Sequence, residues 1–284
     1  MLDLKVLHTP ATPEDAFRAL NETDGRGLYV GGGTVVVRAG SPNLDFLVDL
    51  SRAGMSYVRS ESGNLVLGAA TTLASLTRSM EACGIASCVL HDAALAVGTH
   101  TIRNLATVGG NLVTWPFPSD LPVAFLVLDA TLLVMGESGP REVALTDFFA
   151  RGADVWTKGE LMVEVRVPIP GHGLTGGFDK IGRKRIDVAL ANAAAAIDDD
   201  GGRMRDVRVA VGGVGSAPAR LPECESFLKG KAPGADLFAE AGRMAAESVE
   251  PRSDHRAGAS YRKRAAGVAV ERALMRAAGL LPRR

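Results

Sequence analysis

Three consecutive glycines and a threonine form the first stretch of this sequence that could bind a charged group. Gly31, Gly32, Gly33 and Thr34 stand between the β-branched runs GLYV and TVVVRAG. Glycines allow positive φ angles, so successive backbone N–H groups can point into one concavity and bind phosphate oxygens, to which the threonine adds a hydroxyl. TVVVRAG is a poor helix start and the P-loop lysine is absent, so neither common nucleotide motif fits. A plain hairpin or bulge is the alternative.

A second pair of glycines lies in TVGGN, residues 107–111, after a segment that we expect to be a strand. Here the glycines stand beside Thr107 and the amide side chain of Asn111. A pyrophosphate needs hydrogen-bond donors from more than one direction, and two separate loops supply them better than one. On the residues alone, two unrelated turns are an equally good interpretation.

A carboxylate follows in the proline-rich segment WPFPSDLPV. Pro116, Pro118 and Pro122 restrict the backbone around Asp120, whose oxygens could accept hydrogen bonds from sugar hydroxyls. The commoner role of such an aspartate is to cap the helix that LPVAFLVL would form.

The sequence gives little indication of a hydrolytic active site or of a metal site. No nucleophile, base and acid can be assembled from the scattered histidines. The three cysteines, Cys83, Cys88 and Cys224, have no metal-ligand spacing. The basic run KIGRKR, residues 180–185, could meet phosphate or an acidic surface, although most runs of this length are solvated.

The elements that must position these residues alternate between short helices and strands. PEDAFRALNE predicts an amphipathic helix, and NLVLGAATTLASL predicts a strand running into a helix capped by Thr71 or Thr72. TVVVRAG reads as extended chain, and VAFLVLDATLLVM as part of a long strand. GELMVEVRVP ends a strand at Pro168, and the following segment alternates like a hairpin around DDDGG.

Composition limits the class of protein. The chain has 284 residues, enough for two or three compact lobes, and its 32 basic and 32 acidic side chains cancel. Nucleic acid and anionic membrane surfaces are therefore not expected partners. The apolar runs fall short of the ~20 residues of a membrane helix, and the N-terminus lacks the features of a signal peptide. We expect a cytoplasmic protein without membrane insertion.

Taken together, these motifs resemble the flavin subunit of the molybdenum-containing hydroxylases, the group that includes xanthine dehydrogenase and aerobic carbon monoxide dehydrogenase. The resemblance covers nearly the whole chain. It is carried, in the family's order, by VGGGT, LVLGAATTLASL, TIRNLATVGGN, SDLPVAFLVLDA, GELMVEVRVP, FDKIGRKRIDVALANAAAAI, VAVGGVGSAPAR and SYRKRAAGVAVERAL.

The resemblance implies an α+β fold: a two-lobe PCMH-type (vanillyl-alcohol-oxidase-like) FAD-binding domain and a C-terminal domain of antiparallel sheet and helices, as in carbon monoxide dehydrogenase flavoproteins. We place the first lobe at residues 1–53, the second at 54–172 and the C-terminal domain at 173–284.

The family's cofactor positions imply a set of FAD-binding residues in this chain. Both glycine loops would bind the pyrophosphate through backbone groups, and Asp120 would contact the ribityl chain. Val97 matches a position beside the adenine, while Met162 and Lys180 lie in strands near the cofactor. The expected FAD-binding residues are Val30, Gly31, Gly32, Gly33, Thr34, Val35, Val97, Thr107, Gly109, Gly110, Asn111, Asp120, Met162 and Lys180.

Some residues depart from the family pattern. Val35 stands where relatives usually carry Asp, Ser or Glu, which removes a side-chain acceptor but leaves the backbone intact. Trp115 and Phe117 replace small residues near the flavin edge. The family also has a branch with an additional iron–sulfur cluster, for which three dispersed cysteines cannot supply four ligands.

The implied function is electron transfer. Substrate would be oxidised at a molybdopterin cofactor in a large subunit, and electrons would pass through two [2Fe-2S] clusters of a small subunit to FAD in this chain. The acceptor would be NAD+, O2 or another molecule, and the assembly a dimer of heterotrimers. A stand-alone FAD oxidoreductase and a flavin-free assembly subunit are the competing interpretations.

Overall fold

The computed structural model describes residues 4–39, 43–83, 88–114, 118–151, 159–169 and 174–282. The strands are β1 (Val6–His8), β2 (Gly27–Val30), β3 (Phe46–Asp49), β4 (Val58–Glu61), β5 (Asn64–Gly68), β6 (Thr131–Gly136), β7 (Gly139–Ala144), β8 (Leu161–Pro168), β9 (Leu174–Ile181), β10 (Ala191–Asp200), β11 (Arg203–Gly212) and β12 (Ala219–Arg220). The helices are α1 (Pro13–Glu22), α2 (Val36–Ala39), α3 (Leu73–Cys83), α4 (Cys88–Ala96), α5 (His100–Leu105), α6 (Val108–Val113), α7 (Leu121–Val127), α8 (Leu145–Arg151), α9 (Pro222–Leu228), α10 (Ala235–Ser248) and α11 (Ala259–Ala277).

A three-stranded parallel sheet, in the order β1-β3-β2, forms the first layer. The predicted helix at PEDAFRALNE is confirmed as α1, which begins at Pro13 after Thr12, whose hydroxyl accepts a hydrogen bond from the Asp15 amide. Ala16 of α1 packs with Phe46 and other apolar side chains of this sheet. The same small core includes Leu161 of β8, so it also joins the first layer to the second.

The prediction of extended chain at TVVVRAG was wrong, because the short helix α2 occupies part of it. A hairpin at the triple glycine is excluded as well, since β2 and β3 run parallel. Parallel neighbours need a crossover of about a dozen residues or more, and such a crossover must join β2 to β3. Tertiary pairing thus overrides the strand propensity of three consecutive valines. The glycines open the crossover.

The second layer is a five-stranded sheet in the order β4-β5-β8-β6-β7, antiparallel throughout. The strand ending at Pro168 is confirmed as β8. The helix predicted after NLVLGAATT is α3, and Thr72 caps it by accepting a hydrogen bond from the Ser75 amide. The long strand predicted in VAFLVLDATLLVM begins only at Thr131, because the residues before it form the buried helix α7.

The third layer is an antiparallel sheet in the order β12-β11-β10-β9, and it confirms the hairpin predicted around DDDGG. β10 is buried on both faces. Ala193 and Ala195 pack in the core that contains α10 and α11, whereas Ala194 and Ala196 pack in the core of the second layer. Alanine suits this strand because helices approach it closely from both sides.

The three sheets fall within residues 6–49, 58–168 and 174–220. The domain boundaries after residues 53 and 172 stay a prediction. Within the described ranges, every helix is too short or too polar to cross a bilayer.

Candidate functional site

A cavity of about 520 Å³ lies where the first two layers meet the third. It is lined by the end of β2 and the crossover behind it, by α5 and α6, and by residues at the start of β8 and the end of β9. The structure brings every expected FAD-binding residue to this one cavity, namely Val30, Gly31, Gly32, Gly33, Thr34, Val35, Val97, Thr107, Gly109, Gly110, Asn111, Asp120, Met162 and Lys180.

The first glycine segment offers a row of unused backbone donors. The amide groups of residues 31–35 donate to no acceptor among the described residues, whereas the amide of Val37, two residues further on, donates to the Gly33 carbonyl at 3.0 Å. Gly33 has a φ of +66°, the left-handed region in which glycine carries no Cβ penalty. Consecutive free N–H groups at the wall of a cavity are a binding surface for an anion.

Gly31 and Gly32 are needed for a different reason, the close packing of the two glycine segments. A Cβ on Gly31 would lie 2.6 Å from the Thr107 hydroxyl oxygen, and one on Gly32 only 1.7 Å from the Leu105 carbonyl oxygen. A larger residue would therefore push the first segment away from the second, and the row of amides would move with it.

The second segment is a helix start rather than the loop that we expected. Thr107 caps α6, and its hydroxyl accepts the hydrogen bond of the Gly110 amide at 3.1 Å. The amides of Val108 and Gly109 donate to the carbonyls of Thr71 and Ala69, at 2.9 and 2.8 Å. The backbone donors of this segment are thus satisfied within the chain, and the Asn111 side chain also donates to the Thr107 carbonyl at 3.0 Å and accepts from the Ser119 hydroxyl at 2.7 Å. The donors that remain for a ligand are the Thr107 hydroxyl and the second amide hydrogen of Asn111.

Asp120 and Lys180 form a buried ion pair at the cavity wall. The Lys180 ammonium donates to Asp120 Oδ2 at 2.6 Å and to the Ala96 carbonyl at 2.8 Å. Asn192 Nδ2 donates to Asp120 Oδ1 at 2.8 Å. Burial raises the pKa of the Asp120 carboxyl, while Lys180 and Asn192 oppose that rise. Asp120 does not cap α7, since its side chain accepts no hydrogen bond from that helix.

Two positioning residues were missed from the sequence. Asn192 holds the Asp120 side chain in place. The feature of the sequence that could have identified it is the single amide side chain at the start of the alanine run of β10. The guanidinium of Arg103 donates to the carbonyls of Leu95, Val97 and Gly98, at 3.1 to 3.3 Å. It holds the end of α4 and the turn after it, which place Val97 at the cavity.

The departures from the family pattern have different outcomes. Val35 lines the cavity and contributes a free amide, so the loss of a side-chain acceptor leaves the row of backbone donors unbroken. Trp115 and Phe117 lie outside the described residues.

The residues present fit a dinucleotide such as FAD. Lys180 is the single cationic side chain among the described residues of this wall, and it is already paired with Asp120. An anion here would be held by amide dipoles rather than by arginine or lysine. Apolar walls with a few convergent polar groups, in a cavity of this size, are typical of cofactor sites.

Comparisons with known proteins give the family. Residues 3–170 match the model of the FAD binding domain in molybdopterin dehydrogenase, and residues 177–277 match that of the CO dehydrogenase flavoprotein C-terminal domain. The chain is 30% identical to the glyceraldehyde dehydrogenase medium chain of Sulfolobus acidocaldarius over 88% of its length and 90% of that protein's. It is also 30% identical to the carbon monoxide dehydrogenase medium chain of Afipia carboxidovorans, over 95% of both.

A solved structure agrees with these matches. Carbon monoxide dehydrogenase from Hydrogenophaga pseudoflava, in a form that lacks the Mo-pyranopterin moiety of its molybdenum cofactor, superposes with a TM-score of 0.91 at 27% identity. The superposition covers 99% of this chain and 100% of that one. The fold is therefore the FAD-binding domain followed by the flavoprotein C-terminal domain, and the chain belongs to the FAD-binding medium subunits of the molybdenum hydroxylase family of oxidoreductases.

Proposed function

We propose that this chain binds one FAD in the cavity described above and transfers electrons as the flavin subunit of a cytoplasmic molybdenum hydroxylase complex. Its partners are a molybdopterin-binding large subunit and a small subunit with two [2Fe-2S] clusters, assembled as a dimer of heterotrimers. Electrons arrive from the clusters and leave to NAD+, O2 or another acceptor. The row of free amides at residues 31–35 is the observation that carries the proposal.

Each part of the cavity wall has a role in this proposal. The amides of residues 31–35 bind the pyrophosphate, with the Thr107 hydroxyl and the Asn111 side chain completing the cradle. Asp120, fixed by Lys180 and Asn192, accepts hydrogen bonds from ribityl hydroxyls. Val97 and Met162 provide apolar contacts.

The chemistry itself belongs to the cofactor, because FAD accepts electrons singly and releases them in pairs. No described residue of the cavity has to act as an acid or base on an organic substrate. The protein's part is to orient the cofactor, to exclude water from it and to set the charge around it. Because Lys180 is paired with Asp120, the backbone amides of residues 31–35 are the donors that would hold the pyrophosphate.

Two experiments test the proposal. Purified protein mixed with FAD and passed over a desalting column should keep absorption bands at roughly 370 and 450 nm, those of flavin. Protein that remains colourless refutes FAD binding and supports the flavin-free assembly subunit. Affinity purification from the native source should then recover a molybdopterin-binding chain and an iron–sulfur chain. Recovery of a flavin-loaded monomer that oxidises substrate alone supports the stand-alone oxidoreductase instead.

A further inference from the structure

A second cavity, of about 350 Å³, lies behind the loop that joins β9 to β10. Its walls are the end of α4, the end of β9, loop residues 182–185 and Arg272 of α11. This volume lies within the range of small-molecule sites. Apart from Lys180, the proposed FAD site uses none of the residues that line this second cavity.

The second cavity concentrates positive charge. Besides Lys180, which is paired with Asp120, it is lined by Arg183, Lys184, Arg185 and Arg272, and Asp92 is the one acidic side chain among its described lining residues. The chain as a whole carries equal numbers of basic and acidic residues, so this excess is local. Four like charges around one concavity repel one another, and a bound anion offsets that repulsion.

These cations are only partly neutralised. Lys184 and Arg185 make no ion pair with any residue that the structure describes, and both are exposed. Arg183 Nε lies 3.7 Å from an Asp187 oxygen, a long contact in an exposed pair. Arg272 Nη1 lies 3.9 Å from Asp179 Oδ2. Guanidinium groups with such weak partners are free to turn towards a ligand, and their planar donor pairs match phosphate oxygens.

The loop between β9 and β10 is held in a conformation in which its cationic side chains line the second cavity, although they are also exposed to solvent. The Leu190 amide donates to the Ile181 carbonyl at 2.8 Å, which closes the base of the loop. The Asp187 amide donates to the Lys184 carbonyl at 3.1 Å and makes a turn within it. Ile186 and Val188 of the same loop line the larger cavity. One loop therefore forms part of both walls.

Lys180 connects the two cavities as well, since it lines both while its ammonium holds Asp120. We propose that the second cavity binds a small phosphate-bearing ligand through Arg183, Lys184, Arg185 and Arg272, and that its occupancy changes the affinity of the larger cavity for FAD. The first part stands on the charge and shape of the second cavity. The second part rests on the proposed FAD function.

Calorimetric titration tests the first part, with inorganic phosphate and AMP as separate probes at fixed ionic strength. The protein is used saturated with FAD, which fills the larger cavity, and also as Gly32→Ala, which disrupts the larger cavity's amide row. We expect Arg183→Gln/Arg185→Gln to weaken binding by about tenfold or more, equivalent to 1.4 kcal/mol. Arg205→Gln, which removes an exposed pair with Asp198 on the hairpin, should bind like the unmodified protein.

The outcomes separate the sources of the ligand. Tighter binding of AMP than of phosphate identifies a nucleotide, and equal binding identifies free phosphate. The proposal is overturned if neither probe binds, or if Arg205→Gln loses as much affinity for the probe as Arg183→Gln/Arg185→Gln. It is also overturned if the protein binds an acidic protein but neither probe.

The second part is tested by titrating FAD with and without a saturating concentration of the better probe. Linkage requires that the probe change the FAD affinity by the same factor as FAD changes the probe's affinity. Equal FAD affinities in both titrations overturn the coupling and leave the phosphate site standing. If the unmodified protein does not bind FAD while Gly32→Ala still binds phosphate, the proposed function is contradicted and the phosphate site is not.

Discussion

Replacing Lys180 by methionine leaves the Asp120 carboxylate buried without its cation. The side chains of this pair are 7% and 6% exposed, and the ammonium makes two short hydrogen bonds. Removing one partner of a buried ion pair costs about 3–5 kcal/mol, because the remaining charge has lost its compensation. We expect Lys180→Met to lower the free energy of unfolding of the FAD-free protein by that amount at about pH 7.5.

The loss should depend on pH in a defined direction. Burial raises the pKa of Asp120, and Lys180 is the main group that lowers it, so the variant's carboxyl has a pKa raised further above the 3.8 of an exposed aspartate. Such a carboxyl binds more protons in the folded state than in the unfolded state. The variant's free energy of unfolding therefore falls as pH rises through the folded pKa and recovers as pH falls.

Urea unfolding followed by circular dichroism at about pH 5 and about pH 7.5 measures both effects. The difference between unmodified protein and variant should be larger at the higher pH. Lys5→Met is the matched control, because the Lys5–Asp45 pair is exposed to water and should contribute little at either pH. An equal loss at the two pH values, or a loss no larger than the control's, refutes the assignment of a buried charged pair.

Three further predictions concern the larger cavity. Gly32→Ala should lose FAD, because its Cβ would overlap the Leu105 carbonyl oxygen, which precedes the second segment. The measurement is the flavin absorbance retained after desalting. Gly234→Ala is the control and should retain FAD, because the space around its Cβ is open. Val35→Ser should change the FAD dissociation constant by less than about threefold in a fluorescence titration, since the contact is made by the amide. Arg103→Gln should cost about 1.5–3 kcal/mol of stability in urea unfolding and increase hydrogen exchange at residues 95–98.

Local patterns predicted those elements whose neighbours in space are also neighbours in sequence. The proline and threonine before PEDAFRALNE indicated where α1 begins, and DDDGG indicated the hairpin of β10 and β11. The glycines there, Gly201 and Gly202, both have positive φ. In each case the signal and the structure that it determines lie within a few residues of each other.

The errors arose where residues far away in the sequence determine the local conformation. TVVVRAG has strand propensity, yet the parallel pairing of β2 with β3 requires a crossover at that point. The role of Asp120 was open between capping and binding, and Lys180 and Asn192, sixty and more residues away, decide it. Arg103 was unremarkable in the sequence because its partners are backbone carbonyls, which no side-chain pattern reveals.

The two glycine segments, residues 31–35 and 107–111, are similar in sequence but have different structural roles. The second segment uses its amides to anchor α6 against Ala69 and Thr71, and so it is a fixed surface before any ligand arrives. The first segment packs on that surface through Gly31 and Gly32 and keeps its own amides free. Because an anion site gains most from donors that need no rearrangement on binding, a rigid segment supporting an unsatisfied one suits a pyrophosphate better than two flexible loops. Val35 fits this arrangement, because its backbone amide can donate a hydrogen bond whichever side chain the residue carries.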